Sequence, residues 1–367
     1  MKEYKKCVTC NLPENFPGIS FDEKGECCFC KKQEVEWHEY KGMDALKARI
    51  QEVIDNYPVK DRQYDAVVGY SGGRDSTYLL YMLKNVLNLR VLAVSLSHDF
   101  MPEQTKNNIK NVADKLGVEV AFIENDILNK YGRKSVQAWA KKPNAPMLMT
   151  FCTGCRYGIK KLIPEYARAH NIPMLFVGDT PMEYMSYRVS IVCANPNKPT
   201  SVSKVMGYGK HLLKNPALMV SPKCLSVQAQ EFLIDAGRNK QKKNPNPVTI
   251  RPFFDYVPWK EQDVISTIES LGWKHDESLN SSWRSDCYIN MLRQYYYRRI
   301  LGFADLELYY ARLIHQGKIT KEAAIERIKK ESNYPPEVLS EVLHDIYNLD
   351  FNEIEAKIKK AEEKCEK

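Results

Sequence analysis

No run of apolar residues in this 367-residue sequence comes near the length of about 18 that a membrane-spanning helix needs. The first ten residues, MKEYKKCVTC, also lack the apolar core of a signal peptide. These two absences predict a cytoplasmic protein with no membrane partner. In that compartment, eleven cysteines are better explained by metal binding or catalysis than by disulfide bonds.

Two common phosphate-binding motifs are also missing. The sequence contains no Gly-x4-Gly-Lys-Ser/Thr, which excludes the loop of kinases and GTPases, and no Gly-x-Gly-x2-Gly, which argues against a dinucleotide fold. The net charge of +8 suits a ligand that carries phosphate. However, the 54 basic residues are spread along the whole chain, and a charge of this size serves solubility as readily.

Four cysteines near the start of the chain form two Cys-x2-Cys turns, Cys7 with Cys10 and Cys27 with Cys30. Two such turns supply the four thiolates that a tetrahedral Zn²⁺ needs, and the segment between them is too short to bury a core of its own. We therefore predict a structural zinc ribbon over residues 1–40. Cys28 is an alternative ligand to Cys27, and unligated thiols are the simpler alternative.

Patterns typical of buried strands alternate with helical patterns through the middle of the sequence. The strands are predicted at 64–70, 90–96, 118–124 and 172–179, and the helices at about 75–86, 103–116, 126–140 and 155–170. This alternation predicts an α/β fold with a parallel sheet, Rossmann-like, and helices on both faces, over residues 41–260. Ligands of such sheets bind beyond the carboxyl ends of the strands.

The first predicted strand leads into the first helix through a glycine-containing turn. Two glycines allow backbone angles and a close approach that a Cβ would block. Free N–H groups at the start of the helix would then face a phosphate, with hydroxyls and one arginine beside them. A plain glycine turn is the simpler alternative. The residues of this turn are Ser71, Gly72, Gly73, Arg74, Asp75 and Ser76.

A second cysteine pair, Cys152 and Cys155, opens an amphipathic helix in TFCTGCRYGIKKLIPEYARAH. Thiolates at a helix N-terminus are favoured by the helix dipole and are reactive or metal-binding. Buried, inert thiols are the alternative for this pair. Further along the chain, Asp286 and Cys287 stand just before a predicted helix at 288–301.

Ser-Gly-Gly-Arg-Asp-Ser after a first strand resembles the PP-loop of the adenine-nucleotide α-hydrolase-like ATPases. Those enzymes cleave ATP between the α and β phosphates, adenylate a carbonyl oxygen, and let a nitrogen or sulfur nucleophile displace AMP. The resemblance implies that the loop holds the pyrophosphate part of ATP and Mg²⁺, with Asp75 as the metal contact. The residues that it places at the nucleotide are Ser71, Gly72, Gly73, Asp75, Ser76, Ser95, His98, Gly178 and Asp179.

Three features together resemble the N-acetyl sugar amidotransferase family of surface-polysaccharide and flagellin-glycan pathways. They are the cysteine ribbon, the Cys-x2-Cys before the fourth strand, and a C-terminal part that contains SSWRSDCYINML and GKITKEAA. The resemblance covers about residues 5–330 and implies that ATP activates a sugar acetamido oxygen, which ammonia replaces to give an acetamidino group. Residues 182–246 match nothing in that family, which leaves the sugar open. The candidate catalytic residues are Arg74, Asp75, Cys152, Cys155, Asp286 and Cys287.

The ammonia would come from a separate glutaminase partner. A glutaminase with a cysteine nucleophile needs either that cysteine at the mature N-terminus or a Gly-x-Cys-x-Gly turn. The second residue here is Lys2, and no such turn occurs.

The cysteines also support a different interpretation. PP-loop enzymes that thiolate tRNA carry a Cys-x2-Cys and one distant cysteine, and the three thiolates hold a [4Fe-4S] cluster. Here Cys152 and Cys155 would act with Cys287 or Cys224. A second structural zinc is a further alternative for these cysteines, and a nucleotide-binding module without turnover is an alternative for the chain.

A tRNA-binding enzyme should also present a basic surface. The candidates are residues 238–247 and Arg293, Arg298 and Arg299 around three consecutive tyrosines. A flexible polar linker explains residues 238–247 equally well. Ordinary helix packing explains the tyrosines and arginines, because rings that stack on bases must share one exposed face and consecutive helical residues point in different directions.

The last hundred residues are predicted to form a helical region, 261–367. Thr320 and Pro336 provide start signals for two of its helices. The helices are predicted near 261–271, 288–301, 305–316, 320–331, 336–347 and 350–364.

Overall fold

The computed structural model describes residues 4–33, 39–124, 126–185, 187–195, 200–218, 246–276 and 279–365. Five parallel strands within these ranges form one sheet. They are β1 Ala66–Gly69, β2 Val91–Ser97, β3 Glu119–Glu124, β4 Met174–Phe176 and β5 Val248–Ile250. Their order across the sheet is β3-β2-β1-β4-β5.

The central position of β1 explains its apolar sequence. Val67 pairs with Leu92 of β2 on one side and with Leu175 of β4 on the other. Strands that are covered on both faces need apolar side chains throughout, not in alternation. β3 lies at an edge of the sheet, where charged ends such as Glu119 and Glu124 are tolerated.

Helices connect the strands and cover the sheet. The helices up to the last strand are α1 Cys28–Gln33, α2 Met43–Asn56, α3 Arg74–Tyr81, α4 Glu103–Leu116, α5 Arg133–Lys141, α6 Thr153–Tyr157, α7 Ile163–Ala169, α8 Tyr187–Ser190 and α9 Ser201–Lys214. Short π-helical turns occur at Met82–Val86, Leu128–Gly132, Gly158–Leu162 and Pro252–Tyr256, and 3₁₀ turns at Pro146–Cys152, Pro181–Glu183 and Pro216–Leu218.

The prediction of a parallel sheet with helices on its faces is confirmed, and each of the four predicted strands is present. β5 was not predicted, because a strand of three residues has no periodicity to detect. α2 was not predicted either, although its buried residues Leu46, Ile50 and Val53 follow helical spacing that is visible in the sequence.

Six helices follow the sheet within the described ranges, close to the predicted positions. Thr320 begins one of them as predicted, because its side chain accepts a hydrogen bond from the N–H of Ala323 at 3.2 Å. No helix in the described ranges is both long and apolar enough to cross a lipid bilayer. The six helices are α10 Glu261–Ser270, α11 Tyr288–Leu301, α12 Asp305–His315, α13 Lys321–Glu331, α14 Pro336–Tyr347 and α15 Phe351–Cys365.

One apolar core joins the N-terminal ribbon, the sheet and the C-terminal helices. Phe16 of the ribbon lies with its ring 5.2 Å from that of Phe303 and 5.6 Å from that of Tyr187. A second core packs α5 against α11, where the rings of Trp139 and Tyr296 are 4.6 Å apart. Together these contacts fix α11 and α12 over the carboxyl ends of the strands.

Candidate active site

The loop after β1 gathers backbone N–H and hydroxyl groups at the start of α3. Gly73 is the residue before α3 and has no side chain that could cap the helix. The hydroxyl oxygens of Ser71 and Ser76 are 3.1 Å apart, and the N–H of Gly73 donates to Ser71 Oγ at 3.3 Å. The first N–H groups of a helix have no partner inside the helix, so this turn offers donors to an anion.

Gly72 shapes this loop because a side chain would not fit there. Its φ is +75°, and an added Cβ would lie 2.6 Å from Ile109 and 2.9 Å from the carbonyl oxygen of Thr105. The carbonyl of Gly72 accepts a hydrogen bond from the indole of Trp273 at 3.0 Å. The loop is therefore held against α4 from one side and by Trp273 from the other.

Arg74 points into the protein. Its side chain is 2% exposed, its Nη1 donates to Glu261 at 2.7 Å, and its guanidinium lies 4.7 Å from the ring of Trp259. Its Nε donates to Asp75 at 3.2 Å. With these partners, Arg74 joins α3 to α10 and orients Asp75. Its role is therefore to position Asp75, whereas the loop motif suggested that it contacts a phosphate.

Asp75 is a largely buried carboxylate at the start of α3. Burial raises the pKa of Asp75 to about 6, Arg74 beside it acts in the opposite direction, and Glu183 adds to the increase. Carboxylate oxygens are the ligands that Mg²⁺ prefers. Asp75 therefore fits the predicted metal contact at a phosphate loop.

A cavity of about 490 Å³ lies at the carboxyl ends of β1, β2 and β4, where ligands of parallel sheets bind. Gly72 and Ser95 do not line it; Ser95 is buried within β2, and its hydroxyl has no hydrogen-bond partner among the described residues. The predicted site residues that line the cavity are Ser71, Gly73, Arg74, Asp75, Ser76, His98, Cys152, Cys155, Gly178, Asp179, Asp286 and Cys287.

Gly178 and Asp179 follow β4 on the loop side of the cavity. An added Cβ on Gly178 would lie 3.3 Å from the carbonyl oxygen of Asp75, so a glycine lets β4 pack against α3. Asp179 accepts a hydrogen bond from Nε of Arg251 at 3.0 Å, and that guanidinium lies 3.6 Å from the ring of Phe254. The carboxylate of Asp179 is thus held in place.

Asp286 brings a carboxylate directly to the loop. An added Cβ on Gly73 would lie 3.2 Å from Oδ2 of Asp286. His98, after β2, is near the same carboxylate: burial lowers the pKa of His98, and Asp286 acts against that decrease. Its Nδ1 has no hydrogen-bond partner in the described part of the chain.

Cys152, Cys155 and Cys287 meet at the cavity, although more than 130 residues separate the pair from Cys287. Burial raises the pKa of Cys155 to about 12 and raises that of Cys287, and Cys152 adds to both increases. Arg293 donates a hydrogen bond to Sγ of Cys152. Cys224, the other suggested partner, lies outside the described residues.

The three sulfurs are not close enough to hold one ion. Among the described residues, the N-terminal cysteines form the only group of three or more potential ligands within 4.8 Å of one another. A second zinc held by Cys152, Cys155 and Cys287 therefore does not fit. A four-iron cluster remains compatible, because each of its cysteines binds a different iron and the sulfurs stand further apart.

The sequence analysis did not place Arg188, Arg284 and Arg293 at the cavity, although all three line it. Arg293 was considered there as part of a basic surface for tRNA, but the structure leaves its side chain only 3% exposed. Spacing gives no signal for these residues, because they come from α8, from an irregular segment and from α11. The one available hint was that Arg284 stands two residues before Asp286.

The N-terminal cysteines form a compact quartet. The Sγ atoms of Cys10 and Cys27 are 3.6 Å apart, and those of Cys7 and Cys30 are 3.7 Å apart. Tetrahedral ligands at a Zn–S distance of about 2.3 Å would be separated by about 3.8 Å, so the arrangement fits a zinc ribbon. Cys28 is not part of the quartet, because its Sγ donates to the carbonyl oxygen of Gly18.

His315 links this quartet to the C-terminal helices. Its Nε2 lies 3.2 Å from Sγ of Cys30, at the end of α12. Partners of metal ligands tune metal affinity, so we expect His315→Ala to weaken zinc binding by about 10- to 100-fold. Competition with a chelating dye measures this effect, and His170→Ala, which changes an exposed histidine directly after α7, is the control. Unchanged affinity in His315→Ala would show that the contact is incidental.

Comparisons with known proteins find similarity over parts of the sequence. Residues 46–146 match the family model for NAD synthase. Two uncharacterized proteins of Methanocaldococcus jannaschii are similar over short segments. One is 26% identical over 119 residues (32% of this chain, 42% of that one), and the other is 25% identical over 83 residues (23% and 30%). The matches thus span less than half the length of these relatives.

Similar solved structures share little sequence with this chain. An NMN synthetase from Francisella tularensis is 16% identical, with 79% of this chain and 92% of that chain covered and a TM-score of 0.38. The U34-tRNA thiolase NcsA from Methanococcus maripaludis with its [4Fe-4S] cluster is 15% identical (95% and 100% covered, TM-score 0.34). An NH3-dependent NAD synthetase from Campylobacter jejuni is 16% identical (55% and 96% covered, TM-score 0.30).

TM-scores of this size carry no argument about substrate. The parallel five-stranded sheet, the loop after its first strand and the family match over residues 46–146 place this chain in the PP-loop ATPase superfamily.

Proposed function

We propose that this chain is an ATP-dependent amidotransferase that forms AMP and pyrophosphate and acts on the acetamido group of an N-acetylated sugar. The observation that carries the proposal is the shared cavity, in which the loop from Ser71 to Ser76 and the segment Asp286–Cys287 face the same space. Adenylation needs the groups that hold the phosphates of ATP next to the pocket that holds the acceptor, because the acceptor oxygen must reach the α-phosphorus. The sequence resemblance to sugar amidotransferases supports this choice of acceptor.

The reaction would run in two steps. The amide oxygen attacks the α-phosphorus, the bond from that phosphorus to the bridging oxygen breaks, and pyrophosphate leaves with the electron pair. Ammonia then adds to the activated carbon, AMP leaves with the electron pair of the C–O bond, and the protons lost by nitrogen pass to a base. ATP is needed because AMP is a far better leaving group than an amide oxygen.

The chain's own residues have distinct tasks in this scheme. The N–H groups of the loop and the hydroxyls of Ser71 and Ser76 hold the pyrophosphate part of ATP. Mg²⁺ would neutralise phosphate charge, and the carboxylates that fit it are those of Asp75 and Asp286. His98 stands near Asp286 with a lowered pKa and is therefore a neutral base that can accept a proton from the attacking nitrogen.

The ammonia would be supplied by a separate glutaminase. The proposal is tested with ¹⁵N-labelled ammonium, ATP and a panel of acetamido sugars. We expect label in the sugar only when ATP is present, with one AMP formed for each nitrogen incorporated. ATP-dependent turnover of every acetamido sugar without label would refute the nitrogen chemistry.

A second candidate is sulfur transfer to tRNA or a small molecule through a [4Fe-4S] cluster. The specific observation in its favour is that Cys152, Cys155 and Cys287 line the same cavity as the loop. Such a cluster would be held by these three thiolates, and an oxygen of a base would take the place of the sugar amide.

Anaerobic purification separates the two candidates. For the amidotransferase we expect a colourless protein with about one zinc per chain, bound by the N-terminal quartet. A brown protein with about four iron atoms per chain and broad absorbance near 400 nm would instead support the cluster and sulfur transfer. The variant Cys152→Ser provides the control, because it would remove iron but leave the zinc of the ribbon.

A further inference from the structure

Four arginines outside the phosphate loop line the cavity: Arg156, Arg188, Arg284 and Arg293. Arg156 donates to the carbonyl oxygen of Met149 and to the hydroxyl of Thr153, and the other three form a separate cluster. Their side chains are 14%, 28% and 3% exposed. A guanidinium group keeps its charge under all ordinary conditions. This cluster of three arginines therefore carries three fixed positive charges on side chains that are largely shielded from water.

Two of these charges share one carboxylate. Asp305 is fully buried and accepts hydrogen bonds from the hydroxyl of Tyr187 at 2.7 Å and from Nε of Arg188 at 2.8 Å. The side-chain amide of Gln294 also donates to Asp305, and Nη2 of Arg293 lies 3.6 Å away from it. Nη2 of Arg188 donates to the second oxygen of Asp305, so Arg188 holds this carboxylate through both oxygens and Arg293 has only the longer contact.

The third arginine has a partner that is also shared. Nε of Arg284 lies 3.4 Å from Glu183, and the same carboxylate oxygen accepts from the indole of Trp283 at 2.8 Å. The other oxygen of Glu183 accepts from the N–H of Thr180. Glu183 is therefore engaged in holding its own turn and Trp283, and it neutralises Arg284 only in part.

The arginines consequently repel one another. Burial lowers the pKa of Arg188 to about 9, and Arg293 and Arg284 add to that decrease. In addition, Nε of Arg293 has no hydrogen-bond partner among the described residues. A buried cation without a full counter-charge is costly, and an anionic ligand removes that cost.

The cluster is distinct from the phosphate loop. Arg188 is bonded to Asp305, and Arg293 and Arg284 are the cations near it; none of these residues belongs to the loop. Cys155, by contrast, is influenced both by Asp286, which touches the loop, and by Arg293. Cys155 therefore lies near both Asp286 and Arg293.

We propose that Arg188, Arg284 and Arg293 form a subsite for an anionic group of the acceptor, either a carboxylate on the sugar or a phosphate of a nucleotide carrier. This inference rests on the proposed function and narrows its substrate class to acetamido sugars that carry a negative charge. Planar guanidinium groups bind carboxylate and phosphate in the same forked geometry, so both sources fit.

Calorimetric titration of the full chain tests the subsite. The protein is saturated with α,β-methylene ATP and then titrated with a neutral sugar, N-acetylglucosamine, with a carboxylate sugar, N-acetylneuraminic acid, and with a phosphate-linked sugar, UDP-N-acetylglucosamine. We expect at least one anionic sugar to bind about tenfold more tightly than the neutral one, and the preferred one identifies the anion. Equal affinities, or no binding of any sugar, overturn the subsite.

Arg284→Gln is the decisive variant, because it removes one guanidinium and leaves Asp305 with both of its arginines. We expect about tenfold weaker binding of the anionic sugar and unchanged binding of the ATP analogue. Arg299→Gln, on the same helix as Arg293 but bonded to Glu355, should change neither. Equal weakening of both ligands in Arg284→Gln would assign the arginines to ATP and overturn the proposal. Failure of the wild type to bind the analogue would count against the proposed function itself.

Discussion

Asp75→Asn is expected to lower the rate of AMP formation by on the order of 100- to 1,000-fold and to leave the chain folded. Asparagine keeps the size of the side chain and an oxygen that can still accept from Arg74. It removes the negative charge that a Mg²⁺ ion at the loop requires. Steady-state assays of AMP, together with circular dichroism and thermal melting, measure the two effects separately.

Glu261→Gln is the matched control for this variant. Glu261 accepts from the same arginine at 2.7 Å, but it does not line the cavity. We expect this variant to lose about 1–2 kcal/mol of folding free energy and to keep its turnover per folded molecule. Full activity in Asp75→Asn, or an equal loss in both variants, would remove Asp75 from the proposed machinery.

Gly72→Ala should be among the most damaging single substitutions in the α/β part of the chain. The left-handed backbone angle alone costs about 1–2 kcal/mol in a residue with a Cβ, and forcing a methyl group against Ile109 and Thr105 adds about 1–3 kcal/mol. We expect a total loss of about 2–5 kcal/mol in urea denaturation. ATP binding should be lost as well, because relief of the clash moves the loop.

Gly117→Ala separates the cost of the positive φ from the cost of the steric clash. Gly117 also has a positive φ, +60°, at the end of α4, but nothing lies within 4 Å of its added Cβ. It should cost only about 1 kcal/mol and leave ATP binding intact. If both glycine variants were equally destabilised, the close approach of the loop to α4 would not matter.

The sequence predicted the sheet well because its signals are local. Each central strand is a short apolar run, and each connecting helix shows the spacing of one buried face. The loop could also be located, because glycines, serines and a carboxylate stand together in six consecutive residues. These features need no knowledge of what packs against them.

The side chains that face each other across the cavity could not be predicted in this way. Arg74 is an example: the loop motif suggests a phosphate contact, but Trp259 and Glu261, nearly 190 residues later, bury its guanidinium. The meeting of Cys155 with Cys287 follows from the packing of α11 and not from any spacing. Arg188 and Arg293 depend on Asp305, whose burial at the start of α12 leaves no mark in the sequence.

The zinc ribbon could be predicted only in part. The spacing of its cysteines predicted the quartet, but the choice between Cys27 and Cys28 needed the turn itself, which directs Cys28 to the carbonyl of Gly18. The contact between Cys30 and His315 was not predictable, because 285 residues separate them.

The central claim is that the loop at 71–76 holds ATP so that it is cleaved between the α and β phosphates. Phosphorus NMR of the products, after incubation with ATP, Mg²⁺, ammonium and the acceptor that binds best, tests that claim most directly. We predict AMP and pyrophosphate, with both formed on the order of 100- to 1,000-fold more slowly in Asp75→Asn. Formation of ADP and inorganic phosphate as the acceptor-dependent products would contradict it.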